Sequence, residues 1–180
     1  MSSRFLVLAV DGGAGTGKST TAHSLSRALN LMHVDTGSHY RAITRALLDL
    51  NLLPGDVEEY LNKNTLPLGT EVIDGRSCLL INDIRFEHTI LRSPEINDSV
   101  SDFSSQASVR ELLFEYQRSQ VQVARESNFN GLVMEGRDIG TVILPDADLK
   151  IFLEADPTIR VDRRSKDGEK DQISNRDEKD

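Results

Sequence analysis

The chain has 180 residues, 38% hydrophobic and 28% charged, without tryptophan, a length and balance that fit one soluble globular domain with a real core. Lysine and arginine total 21 against 29 aspartates and glutamates, a formal net charge of −8, so no nucleic acid or anionic membrane partner is expected from long-range attraction. The single cysteine, Cys78, excludes an intrachain disulfide and suits a reducing cytoplasm, where it reads as a small apolar filler of a strand.

Along the chain, "RFLVLAV" (4–10) is apolar at successive positions and predicts a fully buried strand. The loop "DGGAGTGKST" (11–20) leads into a helix over 19–30, with Ala22, Leu25 and Leu29 on one face. No apolar run approaches the ~20 residues of a bilayer span, and the first residues are too short and wrongly flanked for a signal peptide. A short strand (31–35) feeds a helix over 36–50 with a stripe of Tyr40, Ile43, Leu47 and Leu50. Between about 51 and 98 the pattern changes. "GTEVI", "RSCLLI" and "IRFEH" are separated by Asp74-Gly75 and Asn82-Asp83. The Asp-Gly pair supplies the positive φ angles of a tight hairpin, so an inserted antiparallel meander is predicted. "SVRELLFEYQRSQVQVARES" reads as a long amphipathic helix, and "GLVME" and "ADLKIFLEA" as two more core strands. Residues 160–180 hold seven basic and seven acidic side chains, the pattern of a solvated helix face or loop. Alternating strands and helices predict an α/β fold with a mainly parallel, doubly wound sheet.

Gly12-x-x-x-x-Gly17-Lys18-Ser19 has P-loop spacing and sits after a strand and at a helix start, where that loop must sit. Glycines let consecutive backbone N–H groups curl around an anion, and the helix N-terminus adds its unpaired N–H groups and dipole. Lys18 is placed to reach β- and γ-phosphates and the Ser19 hydroxyl to ligate Mg²⁺. A nucleoside triphosphate follows; the acceptor does not. A GTPase would carry a base-reading "NKxD" segment, and Asn62-Lys63-Asn64 lacks the aspartate. Two segments suit a phosphorylated acceptor. "VDTGSHYR" places Thr36 and Gly37 beyond a strand's carboxyl end, with Tyr40 and Arg41 on the next helix, and "EGRDIGT" does the same with Arg137 and Asp138. Read alone, "DTG" is also a plain helix cap and "GRD" a turn with a surface ion pair; beside a P-loop, both are better explained by a bound anion.

Together "DGGAGTGKST", "DTGSHYRA", "SVRELLFEYQR", "EGRDIGTVILPDADLKIFLEA" and "RDEKD" resemble the bacterial cytidylate kinases, nucleoside monophosphate kinases that transfer phosphate from ATP to CMP or dCMP. The resemblance runs from about Val7 to Asp180 and extends to the β-flap at 68–87. It implies a single domain over 1–180: a P-loop kinase core (1–35 and 96–159), an acceptor-binding region with the β-flap (36–95) and a short lid (160–180). It implies further that Gly12, Gly13, Ala14, Gly15, Thr16, Gly17, Lys18, Ser19 and Thr20 hold ATP, with Mg²⁺ on Ser19 and Arg160 nearby. Thr36, Tyr40, Arg41, Ser101, Arg110, Arg137, Asp138 and Asp180 would bind CMP or dCMP. Lys18, Arg137, Arg164 and Arg176 would be catalytic, and the enzyme a cytoplasmic monomer.

Independently of the resemblance, Arg160, Arg163 and Arg164 lie at i, i+3 and i+4, so a continuing helix gathers them on one side. Converging guanidiniums neutralise a transferring phosphoryl group, which needs no strong base; Asp35 or Asp138 can orient the acceptor. Departures from the family pattern are Gly13 in place of its common proline, "QASVR" without the proline before "VR", and a short lid. The family continues past residue 180 with another arginine, a strand and a helix, so the chain is expected to be part of a longer polypeptide. The histidines, His23, His33, His39 and His88, are expected to be structural or at the surface. Two other readings remain: another P-loop small-molecule kinase, and an ATP-binding module without an acceptor.

Overall fold

The computed structural model describes residues 4–160. β1 (Leu6–Gly12) is an inner strand of the parallel part of the sheet, and its Leu8, Ala9 and Val10 are buried. It pairs in parallel with β6 (Gly131–Gly136) on one side and β7 (Leu149–Leu153) on the other. β2 (Met32–Asp35) pairs in parallel with β6, and β4 (Arg76–Ile81) touches β2 at His33↔Arg76. β3 (Leu68–Ile73) and β5 (Ile84–Arg85) pair antiparallel with β4. The order is β3-β4-β2-β6-β1-β7, with β5 beside β4. The predicted meander is therefore present, and it continues the main sheet instead of standing apart from it. Asp74 (φ 49°) and Gly75 (φ 76°) make its first turn with two positive φ angles.

Helices cover both faces. α1 (Lys18–Leu29) packs Ala22 and Leu25 on Leu8, Val10 and Val133. α6 (Ala107–Glu126) packs Ala124 and Val121 on Ala9, Leu132 and Met134. A further cluster joins α2 (Thr36–Asp49) to α6 and the meander through Ile43, Leu47, Leu79, Ile81 and Leu113. Two predicted stripe positions fall outside this packing: Leu29 is 40% and Leu50 45% exposed, because each sits where its helix is ending and the chain turns away from the core.

The stretch read only as a changed pattern also contains helices: α3 (Val57–Lys63), α4 (His88–Leu91) and α5 (Pro94–Ser104). The signal for α5 stands in the sequence. Ser93 caps it through its Oγ, which accepts from Ile96 N, and Pro94 occupies the first helical position. No helix among the described residues is long and apolar enough to cross a membrane.

Candidate active site

The loop after β1 is shaped by glycines with no room for a side chain. Gly12 has φ 147°, and a Cβ there would lie 2.3 Å from Leu153 O. Gly17 caps α1 at φ 97° with no side-chain cap, leaving the first-turn amides to an outside anion. Lys18 Nζ donates to Gly13 O at 2.7 Å and Thr16 Oγ1 to the same oxygen at 2.9 Å. Arg160 lies over the loop: its Nε donates to Ala14 O at 2.7 Å, and its guanidinium occupies the space a Cβ on Gly13 would need. Its backbone presses close to Gly15 in the same way. A cavity of about 440 Å³ opens here, lined by Gly12, Gly13, Thr16, Arg137, Phe152 and Arg160. The structure thus brings Arg137, from the β6 turn, and Arg160 to one cavity beside the predicted phosphate loop. Thr20 lies exposed on the first turn of α1.

At the head of α1, Ser19 Oγ donates to Glu135 Oε2 at 2.7 Å. Glu135 ends the buried part of β6 and is 3% exposed. A P-loop serine beside an acidic residue from a neighbouring strand is the donor set that holds Mg²⁺ in P-loop nucleotide sites. Mg²⁺ takes one or two protein oxygens and leaves the rest to water and phosphate, so these two groups fit it. Glu135 was not singled out from the sequence. The available signal was an acidic residue closing an otherwise apolar strand. Asp11 escaped notice likewise. Its buried carboxylate accepts from Ile139 N and Gly140 N, both at 2.8 Å, and so pins the π-helical turn Ile139–Ile143 that follows Arg137 and Asp138.

Of the predicted acceptor residues, Thr36, Arg110 and Asp138 meet at the β6 tip. Asp35 caps α2, accepting from Ser38 N and Ser38 Oγ. Burial works against its charge, but the Ser38 hydrogen bonds and then Arg92 hold the carboxyl below its usual range. Thr36 Oγ1 donates to Glu135 O at 2.8 Å, joining the α2 start to the β6 tip. Arg110 Nη2 meets Asp138 Oδ2 at 2.7 Å, which brings these two predicted ligands together across α6 and the β6 turn. Arg41 is 5% exposed and donates to Leu91 O and Asn97 Oδ1, which anchors it against α4 and α5. Tyr40 packs its ring on the core cluster, and Ser101 is half-buried on α5. His39 is 1% exposed, edge-on to Tyr116 at 5.1 Å between ring centroids. Burial lowers its pKa to about 4 against the opposing pull of Asp35. Arg163, Arg164, Arg176 and Asp180, expected in the lid or on the acceptor, lie outside the described residues.

A mainly parallel sheet with a glycine phosphate loop after an inner strand, a carboxylate at the neighbouring strand tip and two guanidiniums lining the cavity beside the loop defines a P-loop nucleotide-binding protein of the kinase type. A family model described as Cytidylate kinase matches residues 8–179, and the chain belongs to that family. It is 39% identical over 160 residues to "Cytidylate kinase" of Streptomyces griseus subsp. griseus, covering 89% of this chain and 68% of that protein. The Desulfitobacterium hafniense (strain Y51) "Cytidylate kinase" is 42% identical over 161 residues, 88% of this chain and 66% of its own length. A "Bifunctional pantoate ligase/cytidylate kinase" of Prochlorococcus marinus (strain NATL1A) is 39% identical over 166 residues, 89% of this chain and 30% of that protein. The chain thus spans about two thirds of the single-function relatives and under a third of the bifunctional one.

Proposed function

We propose that the protein transfers the γ-phosphoryl group of ATP to the 5′-phosphate of CMP or dCMP, giving ADP and the diphosphate. The observation that carries this reading is the shared cavity: Arg137 from the β6 turn and Arg160 line it with Gly12, Gly13 and Thr16. Two phosphate tails brought together repel, and the most economical remedy is fixed positive charge where they meet. Family membership names the acceptor class.

In this mechanism the loop amides from Gly12 to Thr20 and Lys18 bind the ATP tail. Mg²⁺ on Ser19, beside Glu135, would neutralise charge on the β- and γ-oxygens. Thr36, Tyr40, Arg41 and Ser101 hold the acceptor, and Arg110 and Asp138 turn from each other to its base and sugar as it enters. Arg137 bridges the two phosphates; Arg164 and Arg176 would add positive charge to the transferring group and Asp180 would bind the acceptor, these three lying outside the described residues. No residue needs to act as a strong base, because positioning and charge neutralisation supply the rate. Acting as a monomer in the cytoplasm, with no nucleic acid or membrane partner, accords with the net charge of −8 and the single cysteine.

The test is ADP release from Mg·ATP alone and then with CMP, dCMP, UMP, AMP or shikimate. CMP and dCMP are expected to stimulate release strongly. Turnover that ignores every acceptor would favour an ATP-binding module, and stimulation by another acceptor alone would reassign the substrate.

A further inference from the structure

A polar line runs from buried His33 of β2 through buried Glu135 to the exposed P-loop serine. Across β2 and β6, His33 is level with Val133 and Asp35 with Glu135. Alternation along parallel strands therefore sends the His33 and Glu135 side chains out of the same face. That face is the one α1 covers, through Ala22 on Leu8, Val10 and Val133. His33 Nε2 lies 2.8 Å from Glu135 Oε1, while Ser19 Oγ donates to Glu135 Oε2 at 2.7 Å. The His33 and Glu135 side chains are 6% and 3% exposed. A carboxylate only accepts, so His33 carries its proton on Nε2 in this contact.

The hydrogen bond constrains a flexible side chain. Glutamate turns about three side-chain torsions, and a buried carboxylate with one oxygen unmet bears a desolvation cost that drives it towards another donor. With Oε1 held by His33, Oε2 faces Ser19. The Ser19 hydroxyl proton is then engaged by Glu135, so the oxygen meets a cation with its lone pairs. We propose that His33 is a positioning residue for binding of the Mg·nucleotide, acting through Glu135 on Ser19. This rests on the reading of the loop as an Mg·ATP site. The His33 ring also lies 6.3 Å from that of His23, and its main chain separately bonds the hairpin turn, His33 N donating to Gly75 O at 2.9 Å. Side-chain substitution leaves that bond in place.

The test is calorimetric titration of the full chain with ADP, in excess Mg²⁺ and in EDTA, with no acceptor present. His33→Leu is expected to weaken Mg·ADP binding about tenfold, the lower end of what loss of an outer-shell partner does to a metal site, and to leave the affinity in EDTA at the wild-type value. His33→Gln, whose side-chain N–H reaches the same carboxylate oxygen, is expected to restore binding. In a Glu135→Ala background, His33→Leu should have no further effect. Wild-type Mg·ADP affinity in His33→Leu, equal loss in both conditions, failed rescue by glutamine, or an additive loss beside Glu135→Ala would each overturn the proposal. If His33→Leu does not fold, His33→Met serves in the same comparison. Because no acceptor is present, a chain that shows no CMP-dependent turnover can still show the Mg²⁺-dependent difference, and the two readings fail separately.

Discussion

His39 illustrates how far one residue's chemistry depends on its surroundings. Helical spacing places it one position from Tyr40 and two from Arg41, yet its ring turns inward against Tyr116, and neither ring nitrogen has a hydrogen-bond partner among the described residues. A cation cannot be solvated there, so the ring stays neutral to about pH 4 while an exposed histidine protonates near 6.5. Between those values the unfolded chain binds a proton that the folded chain refuses. The stabilisation is therefore complete above pH 6.5 and is lost as pH falls towards 4. The loss reaches about 3 kcal/mol, on the scale of 1.36 kcal/mol per pKa unit. The neighbouring Asp35, its pKa held below 3.8, adds a loss only at still lower pH. Denaturant melts of wild type and His39→Met at pH 7.0, 5.5 and 4.5 should show the wild type losing stability faster. Parallel decline would place the titration elsewhere.

At the scale of elements, the site depends on how strands end. β1 closes in Asp11-Gly12, β2 in Asp35 and β6 in Glu135-Gly136, and each carboxylate serves an element beyond its own strand. Asp11 secures the turn after β6, Asp35 caps α2, and Glu135 meets Ser19 at the head of α1. π-helical turns recur at functional sites because they move side chains out of regular register; here one is held by two main-chain bonds to a single buried charge. Asp11→Asn keeps the shape but turns one acceptor into a donor facing an N–H. The variant should lose about 2 kcal/mol, the range of hydrogen bonds to charged groups, and should raise the CMP KM because Arg137 and Asp138 lose their footing. Unchanged stability together with unchanged CMP kinetics would remove Asp11 from that role.

For the whole molecule, two sets of residues approach one line of strand tips from different sides. The P-loop, Lys18 and Arg160 stand on β1 and its neighbours, whereas Arg41 and Arg110 are carried by α2 and α6. The meander is bound to this second set. Tyr116 and Gln120 of α6 hydrogen-bond Thr70 of β3, and Gln120 Oε1 accepts from Ser77 of β4 at 2.6 Å. Arg41→Met removes a guanidinium while filling its stem volume. It should raise the CMP KM and leave ATP binding unchanged; an equal effect on both nucleotides would mean that the two sets are not separate.

The sequence alone determined the strand–loop–helix logic, the P-loop and the Asp-Gly hairpin, because each rests on local pattern: burial period, glycine spacing, positive φ. It also placed Arg137 and Asp138 beyond a strand tip, where ligands of open sheets bind. Only the tertiary structure decided which distant groups meet. Asp11 with Ile139 and Gly140, Glu135 with His33 and Ser19, and Arg110 with Asp138 are partners across strands or helices far apart in the chain. Likewise His33 and His39, alike in sequence as isolated histidines, were separated by the faces they occupy: one beside a buried carboxylate, the other edge-on to a tyrosine. Sheet order and register set those pairings, and no local pattern encodes which strands will lie side by side.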